Sequence, residues 1–269
     1  MFFVVLLIGV PLIWMISGSL MTPREIMDPS VWFPSDPQFK NYPDAWNSVP
    51  FGRFFINSTI ITVAGAGLEV LLGVLCAYAF AFLKFPGKNF LFLIVLASLM
   101  VPSQVVIIPN FQFMATTIRN ILGTDDNWVN TYQGIVLPGA ATAFGTFLMR
   151  QGFMGLPGDV LDAAKVDGAG HLRTMWGVML PMAKPIVVTF ALISIVGKWN
   201  EYLWPLIITN TDNMRPVTVG LRLLFDAEGN NQWGIIMAGT ALVVVPMLIV
   251  YVGLQRYIID GLTAGATKG

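Results

Sequence analysis

Six stretches of predominantly apolar sequence constrain this chain more than any other feature: Phe2 to Leu20, Ile56 to Leu83, Phe90 to Phe113, Tyr132 to Phe153, Pro185 to Ile208 and Trp233 to Leu254. A bilayer-crossing helix needs about 20 such residues, and in hydrocarbon its backbone must be satisfied within the segment itself. The pattern therefore predicts an all-α, polytopic membrane protein with six transmembrane helices. An even number of crossings puts both termini on one side. Composition points the same way, since 55% of the 269 residues are hydrophobic and 11% charged, more apolar surface than one water-soluble core can hide.

Charge sets the orientation. The segments that follow the second, fourth and sixth spans hold eight basic residues against four acidic, Lys84, Lys88 and Arg150 among them, whereas the opposite side holds six against nine. Basic segments remain cytoplasmic, so both termini are predicted inside. The first span has no basic stretch before Phe2 and no small-residue cleavage site after Leu20, and it reads as a retained span rather than a signal peptide. The formal net charge is zero and no Lys/Arg tract occurs, which removes the electrostatic footprint of a nucleic-acid binder. The single cysteine, Cys76, excludes an intrachain disulfide or a cysteine-based metal cluster, and its apolar surroundings predict a packing thiol. Met21 to Arg53, rich in Pro, Asp and Trp, predicts a structured outer loop at headgroup level. With no internal repeat and no second domain, residues 1–269 are expected to form one transmembrane domain.

The long inner segment, Arg150 to Lys184, carries the clearest pattern. Leu156-Pro157-Gly158-Asp159 reads as a turn with a capping acid, Val160 to Val166 as a short helix, and Gly168 and Gly170 as residues able to end it at positive φ. From His171 a second helix lines up Leu172, Met175, Trp176, Met179 and Leu180 at i, i+3, i+4, i+7 and i+8, one apolar stripe, until Pro181 stops it. By shape alone this is either an interfacial element resting on lipid or a docking element for a cytoplasmic partner. A DNA-reading helix-turn-helix is excluded, because Arg173 is the second helix's only basic residue.

Asp162-Ala163-Ala164, then Asp167-Gly168-Ala169, then Leu180-Pro181 resemble the EAA loop of binding-protein-dependent ABC importer permeases, in which Glu-Ala-Ala is followed by Asp-Gly-Ala and later by Leu-Pro. Asp162 departs from the pattern, keeping the charge of the usual Glu with a shorter reach. The likeness runs through Asn57-Ser58, Phe85-Pro86-Gly87-Lys88, Trp199-Asn200-Glu201-Tyr202-Leu203-Trp204-Pro205 and Gln255-Arg256-Tyr257, and is similar to the second permease subunit of sugar and glycerol-phosphate importers. The resemblance implies the type I transmembrane fold of ABC importers, in a multi-pass protein of the bacterial inner membrane, with 150–184 as the cytoplasmic coupling loop. It also implies partners: a second permease subunit, two cytoplasmic ATPase subunits that bind ATP and Mg, an extracytoplasmic solute-binding protein, and membrane lipid. No cofactor is expected in this chain itself. Phe147 to Gln151 and the fifth span lean toward the sn-glycerol-3-phosphate and glycerophosphodiester branch, with a di- or oligosaccharide importer as the alternative.

Missing motifs agree with borrowed energy. There is no Gly-x-x-x-x-Gly-Lys-Ser/Thr to cradle nucleotide phosphates, no His-Glu-x-x-His for a metal, and one histidine, His171, which reads as a solvated helix-start residue. The chain is not expected to be an enzyme. Glu69, Lys198 and Glu201 fall inside predicted spans, where ionisable groups are costly and usually functional. They suggest a translocation pathway with Trp199, Asn200 and Tyr202, and they also keep an ion-coupled secondary transporter in view. Glu69 stands 14 residues from Leu83, about 21 Å, and Lys198 stands 13 from Pro185, about 20 Å. Equal depth predicts that the two charges pair, with Glu201 as the alternative partner of Lys198.

Overall fold

The computed structural model describes residues 2–123, 127–225 and 231–263, with side chains from 9 to 255 apart from 122. Every regular element among them is helical. Asp125, Asp126, Asp226, Glu228, Arg256, Asp260 and Lys268, all counted in the charge balance, lie outside the described side chains.

The first predicted span is α1 (Phe2–Gly18). The outer loop follows, with α2 (Pro23–Met27) and α3 (Asn41–Ser48). It is tied down locally: Thr22 caps α2, the Glu25 carboxylate accepts the Thr22 amide at 2.9 Å, and its other oxygen accepts the Ser35 amide at 2.9 Å. These amides, Thr22 first and then Ser35, hold the Glu25 carboxyl well below its ordinary range, at about 2. Beyond it α4 (Phe51–Phe82), which contains no proline, runs unbroken through the second predicted span.

The third to fifth predicted spans are each interrupted near a proline, although Pro11 and Pro246 lie inside the unbroken first and last helices. A proline ring collides with the carbonyl four residues earlier in a continuous helix. Accordingly α5 (Lys88–Ser98) stops four residues before Pro102, and the chain resumes in α6 (Ile107–Gln112), a π-helical turn (Phe113–Thr117) and α7 (Ile118–Leu122). The fourth stretch divides at Pro138-Gly139 into α8 (Tyr132–Val136), a 3-10 turn (Leu137–Gly139) and α9 (Ala143–Met154). After it come α10 (Gly158–Val166), α11 (His171–Thr174), a second π turn (Met175–Met179) and α12 (Leu180–Met182). The fifth stretch divides into α13 (Lys184–Asn200) and α14 (Leu203–Ile208), and the break at Glu201 again lies four residues before a proline, Pro205. The freed Glu201 carbonyl accepts the Thr218 hydroxyl at 2.8 Å. Finally α15 (Val217–Leu221) leads into α16 (Trp233–Thr263), the sixth predicted span. Among the described residues two helices are long and apolar enough to cross a membrane, α4 and the Trp233–Gln255 part of α16, or three if the bent pair His171–Met182 and Lys184–Asn200 is one span.

The chain forms two compact units, Met1–Ile60 with Asn200–Val250, and Ile61–Trp199 with Tyr251–Gly269. In the first, fully buried Asn57 donates to the carbonyls of Asn213 and Arg215, each at 2.9 Å, and the Ser58 hydroxyl accepts the Val217 amide at 2.8 Å. The Asn-Ser pair thus fastens the 213–217 strap to α4. In the second unit, Val74, Ala77 and Tyr78 of α4 pack with Met149 and Phe153 of α9, Leu161 of α10, Met175 and Met179 of the second π turn, and Phe190 of α13. Gly145 makes this packing possible: a Cβ there would lie 2.7 Å from Cε1 of Phe190 and closer still to Cζ. Cys76, expected to pack, is exposed on α4 instead.

Candidate coupling loop and intramembrane ion pair

The predicted short helix between Arg150 and Lys184 is α10, which begins two residues earlier than expected. Pro157 is its N-cap and Asp159 lies in its first turn, where a carboxylate favours the positive end of the helix dipole. Its C-terminus is closed by the two bonds of a Schellman motif: the Gly168 amide donates to the Lys165 carbonyl at 3.0 Å and the Ala169 amide to the Ala164 carbonyl at 2.9 Å. This requires a left-handed residue, and Gly168 has φ 75°. The spacing of Ala-Ala and Asp-Gly-Ala is therefore the spacing of a helix stop. Gly170, the other glycine expected at positive φ, is extended and serves as the N-cap of α11.

One face of α10 is anchored and the other is bare. Leu161 and Ala164 are buried, whereas Asp162, Ala163 and Val166 are exposed, Val166 by 87%. The Asp162 carboxylate pairs with Lys165 at 2.8 Å with both side chains open to solvent, an arrangement that adds little stability. The predicted apolar stripe of the following helix divides: Met175 and Met179 are buried, Leu180 is half-buried, and Leu172 and Trp176 are exposed. The widened π turn over Met175–Met179 rotates the stripe and accommodates Pro181, which lacks an amide hydrogen. The helix therefore passes Pro181 and ends at Met182, with Ala183 as its C-cap, where the chain bends by 84° into α13. His171, expected to be only solvated, shares a 3.1 Å hydrogen bond between Nδ1 and the Tyr78 hydroxyl.

Glu69 and Lys198 meet. Lys198 Nζ lies 3.0 Å from Glu69 Oε1, with the side chains 13% and 12% exposed, and it also donates to the Gly139 carbonyl at 3.3 Å. Glycines clear its path: a Cβ on Gly65 would lie 3.2 Å from Lys198 Cδ, and one on Gly139 would lie 2.5 Å from Nζ. Trp199 is buried, Asn200 ends α13, and Glu201 and Tyr202 occupy the helix break. Trp204 is buried as well. Two further polar atoms escaped prediction. Thr62 stands two turns from Glu69 on α4, Ser194 one turn from Lys198 on α13, and each buries a hydroxyl oxygen with no partner among the described residues. Hydroxyls in apolar helices give no sequence signal of this kind, because most bond the preceding turn, as Thr189 does to Pro185. Among the described residues no three metal-ligating side chains cluster.

The family model for the binding-protein-dependent transport system inner membrane component matches residues 69–263. The chain belongs to this family. It is an ABC importer permease, an inner-membrane transport component. The chain is 33% identical over 266 residues to the sn-glycerol-3-phosphate transport system permease protein UgpE of Yersinia pestis bv. Antiqua (strain Antiqua), covering 96% of this chain and 92% of that protein. It is 34% identical over 219 residues to the arabinooligosaccharides transport system permease protein AraQ of Halalkalibacterium halodurans, covering 81% and 75%. A solved bacterial ABC transporter involved in the import of the acidic polysaccharide alginate shares the permease fold, with a TM-score of 0.81, 24% identity, and coverage of 96% and 92%.

Proposed function

We propose that this permease is one membrane-spanning half of an ATP-driven importer for sn-glycerol-3-phosphate or glycerophosphodiesters, and that Val160 to Ala169 is its coupling element. In this reading the chain crosses the bacterial inner membrane six times with both termini cytoplasmic. It pairs with a second permease subunit, receives solute from an extracytoplasmic binding protein, and is driven by two ATPase subunits that hold ATP and Mg. The observation that carries the coupling role is α10 itself: a short stiff helix, anchored beneath by Leu161 and Ala164, stopped by a Schellman motif, and bare on its outer face. A push on the bare face passes through Leu161 to Met175 and Met179, and through the same core to Phe190 of α13 and Val74 of α4. Asp162, Ala163, Ala164, Asp167, Gly168, Ala169, Leu180 and Pro181 form this machinery, while Glu69, Lys198 and residues 199–202 are assigned to the translocation pathway.

The choice of solute rests on the UgpE relatives, which match over nearly the whole length. The AraQ relative favours the second reading, a di- or oligosaccharide. The coupling role is tested with Gly168→Val, which places a β-branched residue at φ 75°. The complex is expected to assemble and hydrolyse ATP, but hydrolysis no longer drives uptake. Normal uptake per ATP in that variant would overturn the assignment.

A further inference from the structure

The turn between α4 and α5 gathers cations with no carboxylate among the described residues to answer them. Lys88 Nζ donates to the carbonyls of Ala81 and Leu83 at 3.1 and 3.0 Å, and Arg150 Nε donates to that of Phe80 at 3.0 Å, its guanidinium lying 4.2 Å from the Phe92 ring centre. Both cations thus sit at the negative end of the α4 dipole. Lys84 is exposed beside them. The chain has no acidic residue from Val70 to Gly123, and none of the three cations forms an ion pair among the described residues. Beside them opens a cleft of about 400 Å³, with Lys84, Lys88 and Asn89 as its polar walls and Leu83, Phe85 and Phe90 as its apolar ones. From its mouth an apolar face continues along α5, with Phe90 67%, Leu93 61% and Ile94 51% exposed.

We propose that this cleft binds the phosphate headgroup of an anionic phospholipid, whose acyl chains lie along α5. A free anion would need only the cations. The apolar strip that begins at the same cleft is what selects a lipid, and the turn between two apolar helices sets the cleft at the depth of the headgroups. The inference rests on the permease reading only for placing this turn at the membrane surface, on its cytoplasmic side.

The test uses the intact complex, purified in detergent, stripped of lipid and titrated with phosphatidylglycerol, phosphatidylcholine or inorganic phosphate, with bound lipid counted by native mass spectrometry. Phosphatidylglycerol is expected to bind at least about tenfold more tightly than phosphatidylcholine, and millimolar phosphate is expected not to displace it. Lys84→Gln, which removes a charge that caps nothing, should weaken phosphatidylglycerol about fivefold, and Lys84→Gln with Lys88→Gln more than that. Equal binding of the two lipids, or unchanged binding in both variants, would overturn the proposal. Displacement by phosphate would instead make this a free-anion site and overturn the lipid assignment. Uptake measured on the same preparation keeps the two readings apart: a complex that transports but ignores phosphatidylglycerol defeats this inference alone.

Discussion

Lys198 reaches Glu69 across a helix surface kept bare by Gly65, and loss of the carboxylate would remove the opposite charge that its ammonium meets there. An unpaired charge at this depth costs roughly 3 kcal/mol on insertion scales, and breaking a buried pair from one side costs about 3–5 kcal/mol. Glu69→Gln alone is therefore expected to destabilise the purified complex strongly, while Glu69→Gln with Lys198→Met recovers most of the loss. Thermal unfolding of the wild type, both single variants and the double variant reads this directly. A double variant no more stable than Glu69→Gln would refute the pairing energetics. The meeting was legible from depth alone, because two opposite charges at one level of a membrane have few other solutions. What depth did not reveal was the room required: Gly65 and Gly139 look like ordinary small residues until the lysine is laid over them.

Among the helices, α9 and α13 depend on a contact that only the structure exposes. Gly145 lets Phe190 lie against the α9 backbone, and Phe190 is 1% exposed within a core of Met149, Phe153 and Met179. Its ring has no open space to retreat into, so Gly145→Val should cost about 1–3 kcal/mol by overpacking. Adding Phe190→Leu should return part of that, and an equal melting temperature for Gly145→Val and wild type would remove the contact from the account. At this scale the sequence was legible in type but not in continuity. Periodicity and apolar length located every major helical region, yet they read the third, fourth and fifth stretches through the prolines that divide them. α5 ends four residues before Pro102, and Glu201, the break after α13, stands four before Pro205, a spacing set by ring sterics that an average over hydropathy does not register. The stop of α10 was readable because glycine at a helix end is itself the signal, whereas the π turn over Met175–Met179 left no mark in composition.

For the whole molecule the ion pair bears on the source of energy. Glu69 and Lys198 are the residues that would suggest an ion-coupled carrier, since intramembrane acids often relay protons. Here the acid is committed to an ammonium 3.0 Å away, and a proton delivered to it would remove the carboxylate charge that the ammonium faces. Carrying a proton through this site would thus break the ion pair in every cycle, which is costly at this depth. The chain offers a different input in α10, whose rigid underside and bare outer face suit a mechanical push from a neighbouring subunit. Proteoliposomes holding the intact complex, with the binding protein and labelled sn-glycerol-3-phosphate outside and ATP within, are therefore expected to accumulate solute in the presence of a protonophore. Without ATP they are expected to accumulate none, whatever proton gradient is imposed. Accumulation driven by the gradient alone would place the coupling at Glu69 and not at α10. ATP-dependent uptake of an arabinose oligosaccharide, with none of the glycerol phosphate, would keep the coupling element and replace the solute.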